Sequence, residues 1–577
     1  MENIYRNHYC GEITKENVGQ EIKIAGWINS IRNLGSLAFL TIRDETGIVQ
    51  VISEDIEKIK NLTRESTVTI TGTVALREKD INPNMKTGEI EILLKEITIL
   101  GKCANILPFE INRSKEASEE TRLKYRYLDL RNPLVHDKIL FRTKVIDEIR
   151  SIMKKMNFTE ITTPIITASS PEGARDFVIP SRNYKGKFYA LPQAPQIYKQ
   201  LLMVSGFNRY FQIAPCFRDE DCRADRTLEF YQLDFEMSFA TEEDVYQVGE
   251  TIFYELFSKF SHKKVSARPF RRISYKEAIS KYGSDKPDLR NPLIIEDITE
   301  IFKDTDFNGF KDKKIKAIKV KEIEKPNSWY KKLEEYIKEK GAEGLAYVKI
   351  EEDLNLKSTI TKFLSPKEIA SLKEALKLEA GNVLFIIAGN KDIDKYSGIL
   401  RTKLGEELDL INKDVFEFCI INDFPMYEWN LEENKWDFGH NPFSMPKGGL
   451  DALQNIDPEN IVANQYDFVC NGYEMASGAV RNHDIEIMKK AFEIAGYDEE
   501  TIKNKFRSLY TAFRFGAPPH AGMAPGIDRM IMLLTEEENL REVQVFPPNV
   551  SGMDLLMGSP NTLEEHQLEE LHIKIKD

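Results

Sequence analysis

Residues 217–230 read Phe217-Arg218-Asp219-Glu220-Asp221-Cys222-Arg223-Ala224-Asp225-Arg226-Thr227-Leu228-Glu229-Phe230, at the end of a strand-like run from Tyr210. Arginines alternating with carboxylates at a strand end can clamp a phosphate while the acids hold a metal, or they can pair with one another. Taken alone, the stretch leaves both readings open. Two further stretches narrow the choice. Tyr466-Asp467-Phe468-Val469-Cys470-Asn471-Gly472-Tyr473-Glu474, followed by Gly478 and Arg481, carries two carboxylates. In one continuous strand these face opposite sides, unless Asn471-Gly472 bends the chain and brings them together. Two convergent carboxylates suit Mg²⁺, a hard cation that keeps waters and bridges substrate phosphates. The third stretch, His520-Ala521-Gly522-Met523-Ala524-Pro525-Gly526-Ile527-Asp528-Arg529-Met530, is a glycine-rich approach to an apolar helix with Arg529 on its first turn. No GxxxxGK[ST] or GxGxxG run is present, so nucleotide chemistry here uses neither a P-loop nor a dinucleotide-binding turn.

Around these stretches the pattern alternates between helix and strand. Helical spacing covers 134–156 and 242–259, and strand-like runs cover 158–166, with Pro164 near its end, and 415–421. The region is α+β. Between about 285 and 414 the composition shifts, and residues 311–340 hold 11 lysines against 6 acidic residues. A solvated face or a phosphate-facing surface fits that bias. Near the N-terminus, runs at 21–28, 37–43, 47–52, 67–76 and 89–100, separated by turn signals, predict a small five-stranded barrel of the OB type. In the second run Leu37, Phe39 and Thr41 alternate with Ala38, Leu40 and Ile42. One face fills the barrel, and Phe39 either packs or stands outward beside Arg32, Arg43 and Gln50, where bases can stack.

The chain has 577 residues, a length that excludes peptide hormones and single binding modules, and its net charge of −13 disfavours indiscriminate binding to polyanions. Its six cysteines form no CxxC pair, and no apolar run reaches the ~20 residues of a bilayer-spanning helix. A cytoplasmic location without membrane attachment is expected.

In this order the stretches resemble the signature motifs of class II aminoacyl-tRNA synthetases. Pro164 matches motif 1, Phe217 to Glu220 motif 2, and Gly522 to Arg529 motif 3. The blocks 125–131, 170–177, 186–196, 218–226, 283–290 and 472–481 are similar to bacterial-type aspartyl-tRNA synthetases, and the likeness runs essentially end to end. It implies a multidomain α/β (α+β) architecture. An OB-fold anticodon domain would span 1–104, a hinge 105–133, and a catalytic domain on an antiparallel sheet 134–284 and 415–556. An inserted domain would occupy 285–414 and an extension 557–577.

The resemblance also implies an activity: aspartate and ATP give aspartyl-adenylate and pyrophosphate, and the aspartate passes to tRNA(Asp). ATP, Mg²⁺, L-aspartate and tRNA(Asp) are the implied ligands, and a homodimer the implied assembly. Arg218 would bridge the substrate carboxylate and the α-phosphate, and Arg529 would hold the γ-phosphate. Asp219, Glu220, Gly526, Ile527 and Asp528 would complete the ATP contacts, while Asp467 and Glu474 would bind the metal. Lys199 and Arg481 would read the aspartate side chain, with Glu172, Gln196 and Asp234 around its ammonium. Ile197, Tyr198 and His440 would add further aspartate contacts. Arg32, Phe39, Gln50 and Glu91 would contact anticodon bases, which favours an outward Phe39.

Three positions depart from the pattern: Thr227 replaces a glutamine near ATP, Asn441 a second histidine, and Ser30-Ile31-Arg32 a more basic run. Leu34 and Lys79 match the form that charges only tRNA(Asp). The rival readings are a non-discriminating enzyme that also charges tRNA(Asn) and a non-catalytic tRNA-binding paralogue, which would lose residues such as Arg218, Glu474 or Arg529.

Overall fold

The computed structural model describes residues 3–77, 81–104, 106–169 and 173–576. Glu172 and Lys79 lie outside them. The chain divides into two units, Met1–Ala117 and Ser118–Asp577. The stretch expected as a hinge is therefore split, because residues from Ser118 onward are anchored in the second unit. There Arg122 pairs with Asp129 at 3.1 Å and with Glu542 at 2.7 Å, and buried Arg126 donates to the carbonyls of Arg541, Gln544 and Val545.

The first unit is a closed barrel of strands Glu21–Leu34, Leu37–Asp44, Gly47–Ser53, Thr67–Leu76 and Ile90–Gly101, in the order first, second, third, fifth, fourth. Side chains alternate across a strand with period two. Ile22, Ile24, Ala38, Leu40, Ile42, Val49, Val51 and Ile92 thus fill the interior. Leu37, Phe39 and Thr41 are left half-buried on the outside.

The second unit is built on an eight-stranded mixed sheet. From edge to edge its strands are Arg271–Ser274, Phe418–Pro425, Val462–Cys470, Tyr473–Val480, His520–Pro525, Glu229–Ser238, Arg209–Phe217 and Thr159–Glu160. Pairing is antiparallel except for the outermost pair at each edge. Two long helices, Pro133–Lys155 and Glu242–Phe260, cover one face. Asn132 caps the first of them, with Pro133 at its opening position, where the missing N–H costs nothing. Their apolar stripes, including Ile149, Ile152, Ile252, Phe253 and Leu256, pack on Leu233, Phe235, Phe468, Met523 and Phe418. Every second residue of those strands therefore points to the other face, which carries the polar chemistry.

Two expectations are corrected. The run 158–166 forms a strand only at Thr159–Glu160, because this is the sheet edge and Pro164 cannot donate to a ladder. The 466–474 stretch is not one bent strand. Asn471 and Gly472, with φ of 52° and 85°, form a two-residue loop between paired strands, which explains the Asn-Gly step.

Between residues of the large sheet, the chain builds a separate five-stranded sheet ordered Ile295–Asp297, Lys314–Lys321, Asn382–Gly389, Ala346–Ile350, Leu356–Lys357. Helices Asn327–Glu339 and Ile393–Glu407 pack on one side and Pro366–Leu376 on the other. The lysines of 311–340 are exposed apart from half-buried Lys313 and Lys319 and buried Lys316, which lies 3.1 Å from both Asp297 and Asp394.

Candidate active site

Along the polar face of strand Glu229–Ser238, Phe230, Gln232, Asp234 and Glu236 follow one another at period two. The first two line a cavity of about 210 Å³, and the last two sit in a buried charged cluster.

The cavity also receives Arg218, Glu220, Arg226, Glu474 and Arg529. Arg218 lies over the Phe230 ring at 5.1 Å, and its Nε is buried without a partner. Arg529 enters from the first turn of helix Ile527–Leu534, donating to the carbonyls of Glu474 and Asp225. Its Nε is likewise unspent. Asp528, by contrast, is committed to the fold: it pairs with Arg142 and accepts the Tyr231 N–H at 2.9 Å. Ile527 is in the apolar core, and Gly526 donates its N–H to the Met475 carbonyl. Asp219 holds the Arg175 side chain through its carbonyl at 3.1 Å, and Arg226 and Glu220 pair at 3.4 Å. Thr227 bonds the Glu229 carbonyl, and Gln544 donates to its hydroxyl at 3.4 Å, so an amide does reach this position from elsewhere in the chain.

Glu474 and Asp467 approach from the two arms of the hairpin. Asp467 is buried with Oδ1 unpartnered, and burial, reinforced by Glu474, pushes its carboxyl well above the usual range. An orphaned buried acceptor beside a second carboxylate fits a hard divalent cation. Among the described residues no group of three or more His, Cys, Asp or Glu side chains could hold a metal alone. A cation here would complete its coordination with water or with a phosphate.

In the buried cluster, Lys199 of helix Gln196–Val204 lies 2.6 Å from Asp234 and 3.6 Å from Glu236. Arg481 gives Nε and Nη2 to Glu236 at 2.8 and 3.1 Å. Burial pushes Asp234 upward more than Lys199 pulls it down. Burial also opposes ionisation of Glu236, yet Arg481 and Lys199 outweigh it and hold that carboxyl below its ordinary range. Each cation thus already has a carboxylate partner within the fold. The donors and acceptors left over are informative: Asp234 Oδ2 is buried with the Tyr210 hydroxyl as its neighbour, and Gln196 Nε2 is buried and unpartnered. Tyr198 bonds Thr167 at 3.0 Å, and Ile197 packs into the apolar cluster of Phe443, Phe492 and Phe506. His440 stands against Phe424 and Tyr275, its pKa lowered by burial. Asn441 accepts the Phe443 N–H at 2.9 Å and shapes a turn.

A model of the tRNA synthetases class II (D, K and N) matches residues 118–550, and one of the OB-fold nucleic acid binding domain matches residues 22–100. The chain belongs to the class II tRNA synthetases.

This synthetase is 51% identical to the aspartate–tRNA(Asp/Asn) ligase of Rickettsia akari, over 99% of its own length and 98% of that relative's. It is 50% identical to the aspartate–tRNA ligase of Streptomyces coelicolor, over 99% of both chains. Among solved structures, asparaginyl-tRNA synthetase of Pyrococcus horikoshii with asparaginyl-adenylate shares the fold at 20% identity and a TM-score of 0.59, covering 94% of this chain and 98% of that one.

On the synthetase's barrel, Arg32 and Phe39 are register partners on adjacent strands. Gln50 donates to Glu91 at 3.0 Å, and Glu91, raised by burial, also lies 3.8 Å from Arg77. Arg32 is exposed, and Phe39, Gln50 and Glu91 are half-buried. Sequence reading missed Glu236, Arg142 and Lys286. The i, i+2 spacing of Asp234 and Glu236 was a signal for the first. Nothing local marks Arg142 as the partner of a residue 386 positions away.

Proposed function

We propose that this synthetase is an aspartate–tRNA ligase that joins L-aspartate to ATP and then to tRNA(Asp). One observation carries the reading: the arginine-lined cavity and the buried Lys199–Asp234–Glu236–Arg481 cluster are consecutive along one strand face. A small amino acid and a nucleotide can therefore lie end to end. Asp234 Oδ2 is the acceptor for the substrate ammonium, and Gln196 Nε2 is a donor nearby. Arg481 Nη1 and Lys199 meet the side-chain carboxylate. Replacing that carboxylate by an amide loses a charge-assisted pair, worth several kcal/mol by order of magnitude.

In the first step an oxygen of the substrate α-carboxylate attacks the α-phosphorus, and the bond to the β-phosphate oxygen breaks. Aspartyl-adenylate and pyrophosphate result. Arg218 holds the carboxylate and α-phosphate together and Arg529 holds the far phosphate, so catalysis is positioning and charge neutralisation. Magnesium, held by Glu474 and Asp467, would supply further neutralisation of the polyphosphate. In the second step the terminal ribose of tRNA displaces AMP. The barrel patch of Arg32, Phe39, Gln50 and Glu91 is the anticodon contact. The domain limits implied by the resemblance, with 285–414 as an insert and 557–577 as an extension, belong to this reading, as does action in the cytoplasm.

A homodimer completes the proposal. Exposed Ile165, Ile166, Val178 and Phe188 supply apolar surface for such a contact, and light scattering would give twice the chain mass.

The decisive assay is aspartate-dependent ATP–pyrophosphate exchange with magnesium. The wild-type protein exchanges, and Arg218→Ala loses at least about 10³-fold in rate, the scale of a removed transition-state charge contact. A folded wild-type dimer without exchange would support the non-catalytic paralogue instead. The two kinds of relatives are about equally similar, so charging of purified tRNA(Asn) with aspartate separates the discriminating form, which Leu34 favours, from the non-discriminating one.

A further inference from the structure

Lys286 plays no part in the mechanism above, yet its ammonium lies in the nucleotide cavity, 3.3 Å from Glu474 Oε2 and 2.5 Å from Asp285 Oδ2. Behind Glu474 lies the buried, unpartnered oxygen of Asp467. We propose that Lys286 is a tethered counter-ion of the Glu474–Asp467 pair, standing in for the divalent cation until a metal–nucleotide complex displaces it. The proposal makes Lys286 a positioning residue, and it rests on the nucleotide-activating reading above.

The ammonium is delivered by a rigid segment. The Lys286 N–H donates to Ser284 Oγ at 3.0 Å, and Asp288 pairs with Arg290 at 2.8 Å. Buried Arg401, on helix Ile393–Glu407, donates to the carbonyls of Asp288, Asn291 and Leu293 at 2.9, 2.7 and 2.7 Å. Gly283, at φ 68°, packs so closely on that helix that a Cβ would lie 2.4 Å from Gly398. On the other side the segment abuts the hairpin loop, where a Cβ on Gly472 would touch Asp288 at 3.4 Å. The lysine is thus clamped between the five-stranded body and the loop whose two arms carry the acids.

The arrangement solves an electrostatic problem. A buried carboxylate, Asp467, and its cavity-lining neighbour, Glu474, repel one another and lose hydration, at a cost that a nearby cation offsets. Arg218 and Arg529 line the same cavity, but they are needed for phosphates, and Arg529 spends its Nη donors on the Glu474 and Asp225 carbonyls. Lys286 neutralises Glu474 directly. A divalent cation competes for the same oxygens, and when it arrives the ammonium keeps Asp285 as a partner. Displacement therefore leaves no unpaired charge.

The test uses Mn²⁺ alone with the full-length, nucleotide-free protein, followed by electron paramagnetic resonance and by thermal unfolding. Lys286→Met should bind Mn²⁺ about three- to fivefold more tightly than wild type, the scale of one partly exposed ion pair. Its melting temperature should also rise more steeply with Mn²⁺. Lys286→Arg, which keeps the charge, should stay near wild type. A lysine with only a structural role would lower the melting temperature equally with and without metal and leave the affinity unchanged. Affinity in Lys286→Met no tighter than wild type, or equal tightening in Lys286→Arg, overturns the proposal. If the methionine variant does not fold, Lys286→Gln carries the same charge change and the same expectation. Wild-type protein without pyrophosphate exchange would remove the underlying reading. Active wild type with unaltered Mn²⁺ binding would remove this proposal alone.

Discussion

His520 shows how much a single buried side chain can say about pH. It is fully buried, its Nδ1 lies 2.8 Å from the Pro518 carbonyl, and its Nε2 lies 3.2 Å from Gln200 Oε1. Burial, partly opposed by the Glu236 charge, lowers its pKa from 6.5 to about 4. Between those values the unfolded chain binds a proton that the folded chain refuses, so stability is present above pH 6.5 and is lost as pH falls toward 4. The full effect is about 3 kcal/mol. Denaturant midpoints measured from pH 7 down to 4.5 should fall more steeply for wild type than for His520→Asn, and parallel profiles would refute the assignment. At this scale legibility was uneven. Lys199 and Arg481 were accessible only through the resemblance, because a lone lysine or arginine has no periodic signature. Glu236 was accessible in principle, since Leu233, Phe235 and Met237 pack toward the helices and leave 234 and 236 on the other face.

Elements that depend on alternation were the readable ones. The barrel runs at 37–43, 47–52 and 67–76 end within a residue of strands Leu37–Asp44, Gly47–Ser53 and Thr67–Leu76, because turn residues bound each of them. The failures came where the partner decides. The first barrel strand continues to Leu34 because it pairs with Leu37 beyond a bulge, and the 158–166 run shrinks because it finds only one neighbour. Strand His520–Pro525 illustrates a packing constraint that no periodicity reveals. Its Gly522 lies where Glu236 and Arg481 cross: a Cβ there would sit 2.1 Å from the Phe235 carbonyl oxygen and 2.2 Å from Glu236 Oε2. Gly522→Ala must push a sheet strand or break a buried ion pair, and should destabilise by about 2–3 kcal/mol with loss of exchange activity. Gly344→Ala is the control, since the nearest atom to a Cβ there is 3.8 Å away at the end of a lysine. Equal midpoints for the two variants would show that the sheet gives way more easily than its contacts imply.

Over the whole molecule, charge is informative by being scarce. The chain carries −13, and residues 1–104 hold 13 basic against 15 acidic side chains, so the barrel segment has no net positive charge to attract RNA. On the reading proposed above, recognition by the barrel would come from placed contacts, with half-buried, outward Phe39 beside Arg32 as the stacking surface. Stacking and counter-ion release differ in their salt dependence. Removing a phosphate contact lowers the slope of log K against log salt by roughly 0.7–0.9, whereas removing a stacked ring costs about 1–3 kcal/mol and leaves the slope alone. Phe39→Ala should therefore weaken tRNA binding by about 10- to 100-fold at every salt concentration without altering the slope. Exchange activity should stay at the wild-type rate, because Met1–Ala117 and the unit bearing the cavity are separate bodies with separate cores. Neutralising exposed Lys311, Lys314, Lys331 and Lys332 together asks the complementary question of the five-stranded body. A flattened slope would make that lysine-rich face a backbone contact, and an unchanged slope would leave it a solvated surface and the barrel patch as the main sequence-reading element.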